Sequence, residues 1–284
     1  MSSLTGKIDF AVIVSATNAN PNGDPLNGNR PRENYDGYGE ISDVCIKRKI
    51  RNRFQDMGHK IFVQSDDRSD DGYKSLKDRA EGCKELNTEI GKGKKANRDV
   101  CSEIACREWL DVRAFGQVFA FKGVDVSLGI RGPVSIHQAV SISPVDIISM
   151  QITKSVNSES KDSRASDTMG TKHRIEFGLY LIKGSVSVQL AEKTGFSQED
   201  AEALKEALKT LFENDASAAR PEGSMEVCRV YWWQHKEKTP AVSTAKIFRS
   251  IHIQENIERP KSLQDYTITL DSLDCVAPEV FELV

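Results

Sequence analysis

Two stretches hold the residues with the most chemical potential: Asn20-Pro21-Asn22-Gly23-Asp24-Pro25 and Lys47-Arg48-Lys49-Ile50-Arg51-Asn52-Arg53. The amides of Asn20 and Asn22 offer neutral donors and acceptors for sugar and phosphate oxygens. Gly23 admits a positive φ that brings backbone close to a ligand. The second stretch carries five cations in seven residues. Cations on a helix, with free N–H groups at its start, suit a chain of phosphates. The pair describes a strand–loop–helix unit that grips an extended polyanion. In isolation Asn-Gly-Asp-Pro is also an ordinary turn, and a basic helix face is an ordinary solvated one.

The flanking pattern supplies the elements that position these groups. Residues 7 to 17 are β-branched and aromatic and predict a buried strand. Ser42 or Asp43 caps a helix over about 43 to 57, with Ile46, Ile50, Phe54 and Met57 as its core stripe. Lys47, Arg48 and Arg51 then share the exposed side, and Lys49 and Arg53 flank the stripe. A short strand is expected over Lys60 to Gln64. Residues 65 to 100 are polar, with helical spacing at Leu76, Ala80, Cys83 and Leu86, and residues 99 to 110 read as helix. Val124 to Pro144 is strand-rich and broken at Gly129, Gly132 and Pro133.

Residues 153 to 172 are rich in Ser, Lys and Asp and read as an exposed finger or loop. Arg174 to Gln189 predicts two strands joined near Lys183-Gly184. Ser197 opens a helix with Glu199 and Asp200 in its first turn and Ala203, Leu204, Ala207, Leu208 and Leu211 inside. Met225 to Gln234 and Tyr266 to Leu270 are further strands. The order predicts an α+β chain with a ferredoxin-like core and large insertions. It is one domain over 1–284, with excursions at 65–100 and 131–173.

Composition narrows the class. The chain has 284 residues and a formal net charge of -3. A protein that coats nucleic acid without selectivity is usually basic overall, so the positive charge must act locally. Asp66, Asp67, Asp70 and Asp71 form an acidic cluster, and beyond Lys261 every charged residue is an acid. One face is expected to meet phosphates and another a basic partner. No apolar run reaches the roughly 18 residues of a membrane span. The start lacks the pattern of a signal peptide, and the six cysteines show no Cys-x-x-Cys pair, which points to reduced thiols and the cytoplasm.

The chain resembles the Cas-seven family, the backbone subunit of type I CRISPR surveillance (Cascade) complexes, in its subtype I-C branch. Five blocks in order carry the resemblance. They are Asn20 to Pro25; Ser42 to Asn52; Asp111-Val112-Arg113-Ala114-Phe115-Gly116; Arg131-Gly132-Pro133-Val134; and Thr168-Met169-Gly170-Thr171-Lys172-His173-Arg174. The resemblance implies an RRM-like palm, a helical fingers insertion at 65–100 and a β-rich thumb within 131–173. It implies RNA contacts from Asn20, Asn22, Lys47, Arg48, Arg51, Arg131, Gln138, Thr168, Met169, Lys172, His173 and Arg174. Met169 would act as an apolar wedge between bases. The implied partners are CRISPR RNA, target DNA through that guide, neighbouring copies, and Cas-five, Cas-eight and small subunits. No cofactor, metal or catalysis is implied. A scaffold that leaves sequence reading to base pairing needs to grip only backbone and shape.

Three rival chemistries compete. Related type III backbone subunits cut RNA with a loop aspartate, which makes Asp24 the candidate for a metal-dependent endoribonuclease. Asp67, Ser69, Asp71, Gly72, Ser75 and Asp78 fall at EF-hand offsets, but Asp78 replaces the bidentate Glu. Arg113 to Val118 echoes the signature of a stand-alone RRM, but Ala114 and Gln117 break it, which leaves Phe115 and Phe119 as core.

Overall fold

The computed structural model describes residues 2–120, 127–153 and 169–284. The chain begins with β1 (Ile8–Ala19), a small hairpin of β2 (Gly23–Asp24) and β3 (Arg30–Pro31), and β4 (Tyr38–Ile41). Five helices follow: α1 (Asp43–Asp56), α2 (Leu76–Gly82), α3 (Lys84–Ile90), α4 (Arg98–Glu108) and α5 (Leu110–Phe115). Next come β5 (Gly116–Phe119), β6 (Leu128–Arg131), β7 (Val134–Ile136), β8 (Ala139–Pro144), β9 (Ile147–Thr153) and β10 (Met169–Val186). Then α6 (Val188–Thr194), α7 (Gln198–Lys209), β11 (Met225–Gln234), α8 (Thr244–Arg249), β12 (Ile251–Glu255), β13 (Tyr266–Leu270) and β14 (Glu279–Glu282) complete it.

The main sheet runs β14-β11-β1-β10-β8-β4, with β7 and β9 also paired to β10. β1 lies between β10 and β11, antiparallel to both. Its residues 10–14 are continuously apolar because both of its faces are covered. Phe10, Val12 and Val14 face Ile46, Ile50 and Phe54 of α1 and Leu204 and Leu208 of α7. Ala11 and Ile13 face the opposite layer, with Ile247 of α8, Ile251 and Tyr266. A third core joins the insertion to the chain that follows it, through Phe62, Ala80, Leu86, Trp109 and Phe119. Phe115 packs half-buried on the first core, so both phenylalanines of the RRM-like echo are packing residues. No described helix is long and apolar enough to cross a membrane.

Three expectations change. Lys60–Gln64 forms no strand and bends at Phe62 and Val63. The buried Asp111 carboxylate replaces a strand partner there, accepting from the N–H groups of Phe62 (2.7 Å) and Val63 (3.1 Å). The two strands expected across 174–189 are one long strand, β10, followed by α6. Gly184 is a packing residue rather than a turn: a Cβ there would lie 2.2 Å from the Phe10 ring. Finally, β7, β8 and β9 all belong to the main sheet, β7 and β9 by pairing with β10, so the strands described within 131–153 do not form a separate unit. Residues 154–168 of the expected loop lie outside the described residues.

Candidate nucleic-acid interface

The loop after β1 is tied down from within. Asn18 and Asn29 adopt left-handed backbone, as Asn tolerates. Asn20 is 2% exposed; its N–H reaches the Ala219 carbonyl at 2.8 Å and its Nδ2 the Asn29 carbonyl at 2.6 Å. Asn22 Oδ1 accepts from both the N–H (2.9 Å) and the hydroxyl (2.8 Å) of Ser42. Ser42 Oγ in turn accepts from Cys45 N–H, capping α1. Both amides therefore fasten the loop to its neighbours. Gly23 is not at positive φ. It is glycine because a Cβ would sit 1.9 Å from Asn29 Oδ1. The glycine of this loop that is left-handed is Gly28, at φ 59°.

The cations of α1 correct the sequence reading. Lys47 pairs with Asp43 at 2.9 Å and keeps part of its surface. Arg48 Nη1 donates to the Val63 carbonyl at 2.5 Å. Lys49 is buried against Asp215, beneath the Phe212 ring. Arg51 Nε donates to Asp111 Oδ2 at 2.9 Å, and its guanidinium covers Phe115. Arg53 holds Thr210, Asp56 and Glu213. The side expected to face solvent is instead the joint with α5, the 60–64 segment and the chain after α7. Burial lowers the Arg48 pKa first, and the nearby Arg51 charge second; Asp111 opposes both. Burial likewise pulls the Lys49 ammonium down, against Asp215. These are framework charges.

Arg48 has a carbonyl rather than an acid for its partner; other cations without an ion pair among the described residues lie outside α1. Lys172 and Arg174 share one face of β10, by strand alternation, where it pairs with β9. Arg174 Nε is buried with no partner, as is Arg32 Nε. Arg131 is exposed at the end of β6, on a groove of about 980 Å³ that α4 and α6 also line. Gln138 is exposed between β7 and β8. His173 Nδ1 bonds Ser149 Oγ at 2.8 Å, and Arg30 Nη1 donates to the same hydroxyl at 3.3 Å. Met169 is 56% exposed, with its sulfur accepting from Gln151 Nε2. Thr168 lies outside the described residues.

The structure thus brings together the Asn-Pro-Asn-Gly-Asp-Pro loop, the β2–β3 hairpin and the β9–β10 arm. Sequence reasoning missed Arg30 and Arg32. Their signal was Arg-Pro-Arg on the return strand of the hairpin, with Arg30 opposite Asp24. The rival metal loop is committed elsewhere, since Asp71 grips Arg79 through both oxygens (2.5 and 2.9 Å). The acidic end is also occupied internally: Glu279 binds Lys205, Glu282 binds Arg229 and Asp271 meets His252. Asp265 closes a capping box with Ser262.

A family model described as "CRISPR-associated protein Cas7" matches residues 6–271. A curated relative described in the same words, from Haloferax volcanii, is 29% identical over 215 residues, which is 69% of this chain. The match spans 61% of that relative's length. A chain of a solved "CRISPR RNA-guided surveillance complex, pre-nicking" aligns over 85% of this chain and 81% of its own. Its TM-score is 0.51 at 15% identity, a likeness of fold.

Proposed function

The chain belongs to the family of CRISPR-associated protein Cas7, and from that premise we propose that it is a non-catalytic RNA-binding backbone subunit. Copies of it line up along a CRISPR guide RNA and present that RNA for pairing with target DNA, in a type I-C effector complex. Cas-five, Cas-eight and small subunits are its proposed companions, in the cytoplasm. The sheet order β11-β1-β10-β8, with α1 and α7 packed on one face, supports a ferredoxin-like palm. α2 and α3 with their own core support the fingers at 65–100, and β9 with the start of β10 supports the thumb.

One observation carries the reading. Lys172, Arg174 and Arg131 lack acidic partners among the described residues, and two of them sit on the arm beside the Asn/Gly/Pro loop. Unpaired cations beside amides and backbone N–H groups suit a sugar-phosphate chain, which fixes position without reading sequence. Lys172, His173 and Arg174, with Arg30 and Arg32, are the proposed phosphate contacts on this face, and Arg131 and Gln138 extend it. Lys47 is tied to Asp43 and is not among the proposed contacts. Arg48 and Arg51 are withdrawn from the RNA, and Asn20 and Asn22 act by holding the loop.

The endoribonuclease reading centres on Asp24. Its Oδ1 accepts the Leu26 N–H at 3.2 Å and lies 3.4 Å from Arg32 Nη2, a turn-stabilising role. The test is to purify the assembly and analyse its nucleic acid, then add complementary RNA with Mg²⁺. The expected result is a bound short RNA and an intact target strand. Target cleavage that disappears in Asp24→Ala would establish the rival.

A further inference from the structure

Leu26 is a large apolar side chain that is 98% exposed, yet it is held in place. It sits at the tip of the β2–β3 hairpin, in a short 3₁₀ turn over Pro25–Asn27. Asp24 caps that turn through the Leu26 N–H, and Arg32 reaches the same carboxylate. The Asn29 N–H closes the loop onto the Asp24 carbonyl at 2.8 Å. Gly28 turns the chain left-handed, and a Cβ on it would lie 4.0 Å from His173 Nε2. The tip thus stands against the arm, at the level where Arg30, Ser149 and His173 are bonded together.

A single exposed leucine is ordinary on a protein surface; what marks this one is the turn that holds it. Bracing does remove the ordering cost of a contact made later. The surroundings identify the contact. Arg30 and Arg32 follow Leu26 in the same hairpin, paired at 3.6 Å with Glu33 and 3.4 Å with Asp24, with Asn27 and Asn29 between, and Lys172 and Arg174, which have no ion pair among the described residues, lie on the adjoining arm. An apolar tip among cations and amides fits an unstacked nucleobase whose phosphates are held alongside, since apolar side chains pack against or between bases where cations hold the backbone. A cation-rich surround of this kind suits a protein core less well.

We propose that Leu26 packs on the face of a nucleobase in the bound RNA, and that Asp24 serves as the cap that aims it. The proposal rests on the RNA-binding reading above. It assigns the apolar contact to the hairpin, whereas Met169 has its sulfur engaged by Gln151.

The test uses the assembled protein loaded with RNA that carries 2-aminopurine at one position at a time. This base brightens when its stacking neighbours are displaced. In the wild type, positions facing Leu26 should be bright. Leu26→Ala should lose that brightness at saturating protein, with RNA affinity weakened by no more than one base contact and the melting temperature unchanged, and Leu26→Met should restore it. Met169→Ala should leave it in place. Bound RNA with the same bright positions in Leu26→Ala, or with no bright position in the wild type, overturns the proposal and leaves RNA binding standing. Unchanged brightness with assemblies that fall apart would assign Leu26 to a protein contact and also overturn it. A wild-type protein that binds no RNA overturns the premise and the proposal together.

Discussion

Arg51 and Asp111 form a buried ion pair: Arg51 Nε lies 2.9 Å from Asp111 Oδ2, and the Asp111 side chain is 0% exposed. The same carboxylate receives the Phe62 and Val63 N–H groups, so one side chain joins α1, α5 and the segment between them. The basic helix is therefore a beam of the fold.

Removing one partner of a buried pair leaves the other charge uncompensated. Asp111→Ala should lower stability by about 3–5 kcal/mol, read by denaturant unfolding. Lys47→Ala, which breaks only a partly exposed i,i+4 pair, should change stability by about 0.3–0.5 kcal/mol. Equal losses in the two variants would contradict the framework role.

Gly184 should tolerate no side chain. An added Cβ meets the Phe10 ring at 2.2 Å and the Ser135 carbonyl oxygen at 2.7 Å, and the latter is backbone. Gly184→Ala should destabilise by about 1–3 kcal/mol through overpacking. A neutral thermal melt would show that β10 bends there after all.

The segment around Asp71 and Arg79 should loosen in acid. The Asp71 carboxyl is held below its ordinary 3.8, first by hydrogen bonding to Arg79. A depressed carboxylate contributes stability that is fully present above the unfolded pKa and is lost as pH falls through the folded one. Protection of residues 70–82 against hydrogen exchange, taken relative to the intrinsic rate at each pH, should therefore fall as pH drops below about 4, the ordinary carboxylate range. Asp71→Asn should remove that pH dependence. Arg79 is nearly buried and also holds the Phe62 carbonyl, so the loosening should reach residue 62.

Much of the frame was legible before folding. β1 announced itself by a continuous apolar run, and α7 by Ser197 and its stripe, which the capping box of Ser197 and Asp200 confirms. β11 and β13 also fell where the pattern put them. β10 did not, because Lys183-Gly184 mimics a turn while the glycine serves a neighbouring ring. The charge pattern misled for a related reason. Sequence gives the cations of α1 but not their partners, and Asp111 lies 60 residues from Arg51 and Asp215 lies 166 from Lys49. A basic helix face and a basic helix joint have the same residues. Lys172 and Arg174 on a strand and Arg131 at a hairpin end were less conspicuous, although none of the three has an ion pair among the described residues.

The most direct measurement is RNA affinity as a function of salt, for the wild type, Lys172→Ala/Arg174→Ala and Lys47→Ala. The slope of log affinity against log salt should flatten by about one unit per lost phosphate contact. The arm variant should show that flattening, and Lys47→Ala should keep the wild-type slope within about half a unit. A flattened slope in Lys47→Ala with an unaltered one in the arm variant would return the RNA to α1 and contradict the account.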